Sequence, residues 1–358
     1  MESYKLKVNK VLPQTDKAVS LHFDKLEKGD YKAGQFLTLI FDINGKSERR
    51  AYSLCSAPQT DNDWAVAVKR VDGGIVSNYI NDNVKAGDEI EVLEPIGNFV
   101  LSEEPGKRKV VFISGGSGIT PILSMLKTVL SDEKDAEVYL IYVNSDLDNV
   151  IFKDDLHELE RSHDNFKVHH HLSSENVQKV TKKTKKLFGL IKKSETIESG
   201  RITPESMAKE IKDWNAADAE FYICGPNGLM HTAEDCLKLL KVKAHQVHKE
   251  SFTQDIEPSD TATANTGVDS VVTLKISGEE HELTIKKGKS ILFAALDEGI
   301  DIPFSCQSGL CTACMGNCTE GTVVMDHEDG ITEEEKEKGN VLTCVGHPTT
   351  EKVTIEFE

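Results

Sequence analysis

Four cysteines fall within fifteen residues in "FSCQSGLCTACMGNC", from Phe304 to Cys318, and another follows in "VLTCVGHP". No other stretch constrains the chain as much, because a loop this rich in thiols must be shaped around whatever they bind. Cys306, Cys311, Cys314 and Cys344 form C-x4-C-x2-C with a distant fourth, the spacing of a [2Fe–2S] centre whose loop turns backbone N–H groups toward the sulfurs. Gly309 and the small residues Ser308, Thr312 and Ala313 let the backbone come close. A zinc site more often pairs two C-x2-C knuckles, and this sequence supplies one. A four-iron run wants C-x2-C-x2-C-x3-C followed by proline, whereas here the first gap is four and Thr319 follows Cys318. Both are weaker matches. Cys318 is the leftover thiol, expected as a small buried residue on the strand "NCTEGTVVM".

The rest of the chain sets the context for that loop. Its start, "MESYKLKVNK", lacks the apolar core of a signal peptide, and no later apolar run approaches the roughly 20 residues of a membrane span. A cytoplasmic protein is therefore expected. In that compartment the 8 cysteines read as metal ligands or core residues rather than disulfides. With 42 basic and 60 acidic side chains, net −18, the chain is poorly suited to bind nucleic acid or an anionic membrane.

At 358 residues the chain has room for three domains. Alternating runs such as "FLTLIFDI" and "WAVAVKR" between Gly, Asp and Asn turns predict an antiparallel β-barrel over residues 1–104. Over 105–253, apolar strands ("KVVFISGG", "EVYLIYV", "FKVHHHL", "EFYICGP") alternate with amphipathic helices ("TPILSMLKTVL", "FKDDLHELER", "PESMAKEIKDW", "GLMHTAEDCLKLL"), the pattern of an α/β parallel sheet with crossover helices. Residues 254–269 are rich in Ser, Thr, Asp, Ala and Pro and read as a linker before a last, α+β domain at 270–358. Seven lysines between Lys179 and Lys193 read as a solvated surface loop. His169 to His171 lie in a strand pattern whose residues alternate faces, which argues against a metal site there.

The stretch "CQSGLCTACMGNCTEGTVVM" with "LTCVGHP" resembles a plant-type ferredoxin domain, a β-grasp fold, and the two preceding domains resemble ferredoxin–NADP reductase. Fused in this order they resemble reductase components of multicomponent oxygenases, above all the phenylacetyl-CoA oxygenase (epoxidase) reductases. The likeness covers nearly the whole chain and weakens over the lysine-rich segment and the linker.

In the first domain, "RRAYSLCSAP" resembles the family's R-x-Y-S flavin signature at Arg50, Tyr52 and Ser53. Strand alternation puts Arg50 and Tyr52 on one face, where a guanidinium can meet a phosphate and a phenol can lie against a flat ring. In the family the Ser53 position hydrogen-bonds near flavin N5. "VKRVDGGIVSNYI" supplies Val68, Lys69, Gly74, Val76 and Ser77, with a helix start suited to a pyrophosphate. Two phosphate contacts imply FAD.

In the second domain, "ISGGSGITP" carries Gly115, Gly116, Gly118, Ile119 and Thr120, the G-x-G-x-T-P form of the family, with Thr120 expected as helix N-cap and Pro121 at the first helical position. "YICGPNGLM" supplies Cys224, Gly225, Pro226 and Met230, which resemble the residues that hold nicotinamide near the flavin. Phe252 in "HKESF" resembles the aromatic near the flavin in this family, with Glu250 close by. Ser53, Thr120, Cys224 and Glu250 are the candidate catalytic residues.

Asp146 opposes a 2′-phosphate, which favours NADH, while Arg201 in "SGRIT" resembles a basic position near the adenosine, so the donor is read as NAD(P)H. The resemblance implies that NAD(P)H, a two-electron donor, serves a one-electron cluster through FAD. Residues 269–358 hold 18 acidic and 7 basic side chains, which suits docking on a basic protein acceptor, expected to be an oxygenase component. The alternatives are a general ferredoxin or flavodoxin reductase and a cluster-based redox sensor.

Overall fold

The computed structural model describes residues 3–25, 31–102, 108–174, 196–250, 252 and 267–357, apart from 277, 301, 305, 308, 310, 327 and 329. The lysine-rich segment, most of the expected linker and Ser308 lie outside the described residues.

The first sheet contains β1 (Ser3–Thr15), β2 (Ala18–Phe23), β3 (Phe36–Ile43), β4 (Lys46–Ser53), β5 (Trp64–Lys69) and β6 (Glu89–Leu93), in the order β4-β3-β6-β1-β2-β5. Its ladders are antiparallel. Leu21, Phe23, Leu37, Leu39, Trp64 and Val66 fill its interior. Among the described residues no ladder joins β4 to β5, and an isolated bridge between Leu54 and Val66 links their neighbourhoods. The ladders thus form one six-stranded sheet, and of the closure that the barrel expectation requires the described residues show only that bridge. Helix α1 (Ile75–Asn83) follows β5, and Gly73, at φ +74°, makes the turn into it.

The second sheet is built from β7 (Lys109–Gly115), β8 (Glu137–Asn144), β9 (Phe166–Leu172), β10 (Thr196–Ser199), β11 (Glu220–Cys224) and β12 (Val247–Glu250), all parallel, in the order β10-β9-β8-β7-β11-β12. Helices α2 (Ile119–Asp132), α3 (Lys153–Ser162), α4 (Pro204–Asp213) and α5 (Asn227–Leu240) connect its strands. Apolar cores lie on both faces, one under Ile122, Leu126 and Leu156, the other under Met207, Ile211 and Ala233. That is why its central strands read as unbroken apolar runs. A first-sheet loop is tied to α2 by Ser124 Oγ donating to Ser56 O at 2.5 Å and Lys127 Nζ to Asp61 at 2.9 Å.

The third sheet is built from β13 (Ser270–Ile276), β14 (Glu279–Ile285), β15 (Met315–Glu320), β17 (Asn340–Leu342) and β19 (Lys352–Phe357), in the order β14-β13-β19-β15-β17. The short strands β16 (Val323–Met325) and β18 (Gly346–Pro348) pair separately, and helix α6 (Ile291–Asp297) joins the core of this unit. The thiol loop leads directly into β15, and Cys344 sits between β17 and β18.

Candidate functional site

A cavity of about 720 Å³ is bounded by the first sheet, the glycine turns of the second and the thiol loop of the third. Arg50, Tyr52 and Ser53 reach it from the end of β4. Lys69 closes β5, and Gly74, Val76 and Ser77 add the start of α1. Gly115, Gly116, Gly118 and Thr120 come from the turn after β7, Gly225 and Pro226 from the end of β11, and Glu250 and Phe252 from the end of β12. Five remote stretches of the sequence thus meet in one cavity.

Four predicted residues stand behind that wall. Val68, Ile119, Cys224 and Met230 are buried in the apolar cores and do not line the cavity. Burial pushes the Cys224 thiol well up, so this sulfur stays protonated. Its backbone does the work near the cavity: a Cβ on Gly118 would lie 2.2 Å from Cys224 O. Only glycine permits that approach.

The helix start differs from the expected one. Gly118 is the N-cap of α2, which opens at Ile119, and Thr120 lies inside the first turn with Oγ1 donating to Ser117 O at 3.0 Å. A 3₁₀ turn at Gly116–Gly118 winds straight into α2, moving the start upstream of the threonine. Pro121 is tolerated because first-turn N–H groups lack helical partners anyway.

Cationic and buried polar groups are arranged along the cavity. Lys69 Nζ lies beside Gly116, 3.6 Å from where a Cβ would be, and Arg50 is braced by Glu48 at 3.4 Å. Burial raises the Tyr52 phenol, with Arg50 pulling the other way, so the ring stays neutral. Ser53 donates to the carboxylate of Glu250, whose Oε2 has no hydrogen-bond partner among the described residues. Burial, then the negative charge of Cys306, lifts Glu250 to about 8 despite the Ser53 bond, so it holds a proton at neutral pH. An orphaned buried oxygen in a cavity of this size points to a ligand with a polar edge.

The thiol loop is part of the same wall. Cys306 lines the cavity, and Phe36, paired with Ser53 across β3 and β4, packs against Cys311 and Ala313. The Arg49 guanidinium lies 4.7 Å above the Phe304 ring. The sequence marks Cys306 as a ligand but not its place beside the flavin-signature residues, and it marks neither Phe36 nor Arg49. For Phe36 it offers nothing beyond an apolar residue opening a strand.

The four thiols converge as expected. Cys306 and Cys311 sulfurs are 3.2 Å apart, Cys344 interacts with both Cys306 and Cys314, and Gly309 N–H points at Cys344 Sγ over 3.2 Å. Sulfur neighbours, then burial, push Cys311 and Cys344 up, so four thiolates coexist there only around cations. Cys318 stands apart on β15, its Sγ directed to Glu320 O at 3.5 Å, and is half-buried rather than buried. The strand runs toward exposed positions at Thr319 and Glu320, which leaves the thiol part of its solvent contact.

Comparison with known proteins matches this layout domain by domain. Residues 5–101 match the oxidoreductase FAD-binding domain, 112–235 the oxidoreductase NAD-binding domain and 274–349 the 2Fe-2S iron-sulfur cluster binding domain. The chain is 33% identical to the ferredoxin reductase component of 3-ketosteroid-9-alpha-monooxygenase from Mycobacterium tuberculosis, over 99% of this chain and 95% of that one. It is 30% identical to a component of the 1,2-phenylacetyl-CoA epoxidase of Escherichia coli, over 99% and 98%. Phthalate dioxygenase reductase has a similar solved structure, at 25% identity and TM-score 0.60, covering 99% of this chain and 98% of that one. Identity does not single out the phenylacetyl-CoA branch. No helix among the described residues is long and apolar enough to cross a membrane. With its FAD-binding, NAD(P)-binding and [2Fe–2S] domains, the chain belongs to the reductase components of oxygenases, NAD(P)H-dependent electron-transfer oxidoreductases that feed a partner oxygenase.

Proposed function

We propose that electrons enter at the cavity and leave singly from the cluster loop to an oxygenase acting on an aromatic CoA thioester such as phenylacetyl-CoA. The observation that carries the route is that Cys306 lines the same cavity as Arg50, Tyr52 and Ser53. In this reading FAD is held by Arg50, Lys69, the α1 start and Ser77, and the dinucleotide by the glycine turn at 115–118 with Gly225 and Pro226. Cys306, Cys311, Cys314 and Cys344 are the cluster ligands. When bound, FAD supplies the change from paired to single electrons that separates NAD(P)H from a one-electron cluster.

The protein's own residues orient and insulate. Tyr52 would lie against the flavin, Phe36 and Cys306 stand between cavity and loop, and Ser53 holds the Glu250 carboxyl in position. The protonated Glu250 is a proton source at its Oε2. Cys224 and Met230 support the turn from behind. The domain division is 1–104, 105–253 and 270–358 with a linker at 254–269, the first unit barrel-like and the third a β-grasp, in a cytoplasmic protein. The 30% likeness to the epoxidase component supports the thioester. A steroid-oxidising partner is the second reading, supported by the 33% likeness to the ketosteroid reductases.

Reconstitution tests both. NADH- or NADPH-driven turnover is measured with a purified phenylacetyl-CoA epoxidase oxygenase or a 3-ketosteroid 9α-hydroxylase, at rising salt. Coupled product with the first, slowing about tenfold or more as the Debye length falls from about 10 Å to about 3 Å, is expected for docking on the acidic domain. Coupling with the steroid enzyme alone replaces the first reading by the second. Undiminished turnover after truncation at Asp255 overturns the exit route.

A further inference from the structure

The three consecutive histidines of β9 are divided by the strand's alternation, and the division leaves a ligand pair rather than removing one. His170 turns to the face where its ring lies 5.9 Å from that of Tyr142. His169 and His171 share the opposite face, their ring centroids 4.6 Å apart. Both are buried, with side chains 9% and 4% exposed. Helix α4 crosses this face and inserts Glu210, itself 10% exposed, whose carboxylate contacts His169 Nδ1 through one oxygen and His171 Nε2 through the other at 3.0 Å. Edge strand β10 brings a second carboxylate: Glu198 pairs in register with His171, and its Oε1 lies 4.0 Å from His169 Nε2.

Among the described residues, the buried His169 Nε2 has no hydrogen-bond partner. Nδ1 lies against Glu210 Oε1, which leaves Nε2 as the ring nitrogen facing the carboxylate of Glu198. A cation between them would take a lone pair from each. The spacing suits one. Ligand atoms of His169, His171 and Glu198 all lie within 4.8 Å of one another. Two ligands at about 2.0–2.1 Å from a tetrahedral metal sit roughly 3.3 Å apart, so closure needs movements on the order of 1 Å. Glu198, with a side chain 57% exposed, is free to make them. A carboxylate on the far nitrogen of a ligating imidazole is the usual outer support of such sites, and Glu210 occupies that position for His169.

We propose that His169, His171 and Glu198, oriented by Glu210, form a binding site for one divalent transition-metal ion of the zinc class. Imidazole and carboxylate donors select zinc-like ions over the softer, all-thiolate preference of the cluster loop. The ion lies outside the electron path and clips β10, a four-residue edge strand with β9 as its sheet neighbour, onto the parallel sheet.

The test uses the holoprotein, treated with a mild chelator that leaves the cluster absorption intact and then dialysed against ZnCl₂. Elemental analysis is expected to find one zinc per chain beyond the iron, and zinc X-ray absorption a nitrogen and oxygen shell with the imidazole pattern. The His169→Ala/His171→Ala double variant should lose that zinc, and Glu210→Gln should weaken binding by about 10–100-fold. Glu198→Gln, at an exposed position, guards against misfolding: it should weaken zinc while NADH–ferricyanide activity stays unchanged. Three outcomes overturn the proposal: no retained zinc in the wild type, equal zinc in all variants, or a sulfur-dominated shell, which would put the ion on cluster thiols.

Discussion

Three of the clustered thiols come from the nine residues Cys306 to Cys314, whereas the cavity that Cys306 faces draws its walls from β4, β5, α1, α2, β11 and β12. One region is local, the other assembled from the ends of elements up to two hundred residues apart. A local loop fails all at once when a ligand is lost, because the remaining thiolates repel one another. An assembled cavity degrades in steps, since each wall is held by its own sheet. The contrast predicts a ranking of defects, and the first test is the cluster. Cys344→Ser should lose essentially all cluster iron while FAD remains bound and NAD(P)H still reduces ferricyanide. Cys318→Ser should keep its iron, its sulfur being directed to Glu320 O instead of the other thiols. Equal iron loss in both variants would erase the distinction between the four and the leftover.

The cavity's most sensitive point should be Gly118. A Cβ there meets Cys224 O at 2.2 Å and Gly225 N at 2.9 Å, both backbone atoms that cannot swing away. Gly118→Ala should therefore part the two glycine turns, costing about 1–3 kcal/mol of local packing and raising the KM for NAD(P)H roughly 5- to 100-fold. Gly73→Ala is the control: its φ is +74° but a Cβ there meets nothing within 4 Å, so it should act through backbone strain of about 1 kcal/mol on stability alone. A larger coenzyme defect in Gly73→Ala than in Gly118→Ala would reverse this assignment.

The same contrast explains what could be read in the sequence. The cysteine spacing is local and carries its geometry with it, and the strands of the parallel sheet announce themselves because both faces are apolar. The motifs at Arg50–Ser53, Gly115–Thr120 and Cys224–Pro226 are each visible, but their meeting in one cavity depends on tertiary placement. Phe36 carries no mark until β3 aligns it with Ser53 and the thiol loop docks on it. The Thr120 cap fails because Gly116, at φ +55°, allows a tight turn to run into the helix, a choice made by backbone freedom rather than by the capping residue. The histidines are the sharpest case: alternation correctly separates His170, yet the value of the remaining pair rests on Glu210, forty residues away on a helix.

Phe36 should show whether the two regions work as one. Phe36→Ala removes the ring between the end of β3 and Cys311 while leaving every thiol and every flavin-signature residue in place. FAD and iron contents should stay near wild type. Reduction of cytochrome c, drawn from the cluster, should fall about 5- to 10-fold, while ferricyanide reduction changes little, because a defect of about 1–1.4 kcal/mol in the contact lowers the population of the docked arrangement by that factor. Unchanged cytochrome c reduction would mean that the loop is held against the first sheet by other contacts.

Arg49 is the nearest such contact, and its expected effect is the smallest. The guanidinium lies 4.7 Å over the Phe304 ring, two residues before Cys306, and joins β4 to the start of the thiol loop. A cation–π contact at a partly exposed site contributes about 0.5–1 kcal/mol, so Arg49→Met, which keeps the aliphatic packing and removes the charge, should reduce cytochrome c turnover only about 2- to 5-fold. Because Arg49 and Phe36 both hold the thiol loop against the first sheet, their effects should be coupled: the double variant should depart from the product of the single losses. Strict additivity would show that Arg49 steadies Phe304 alone, and that the cluster loop depends on Phe36 independently of the cation above it.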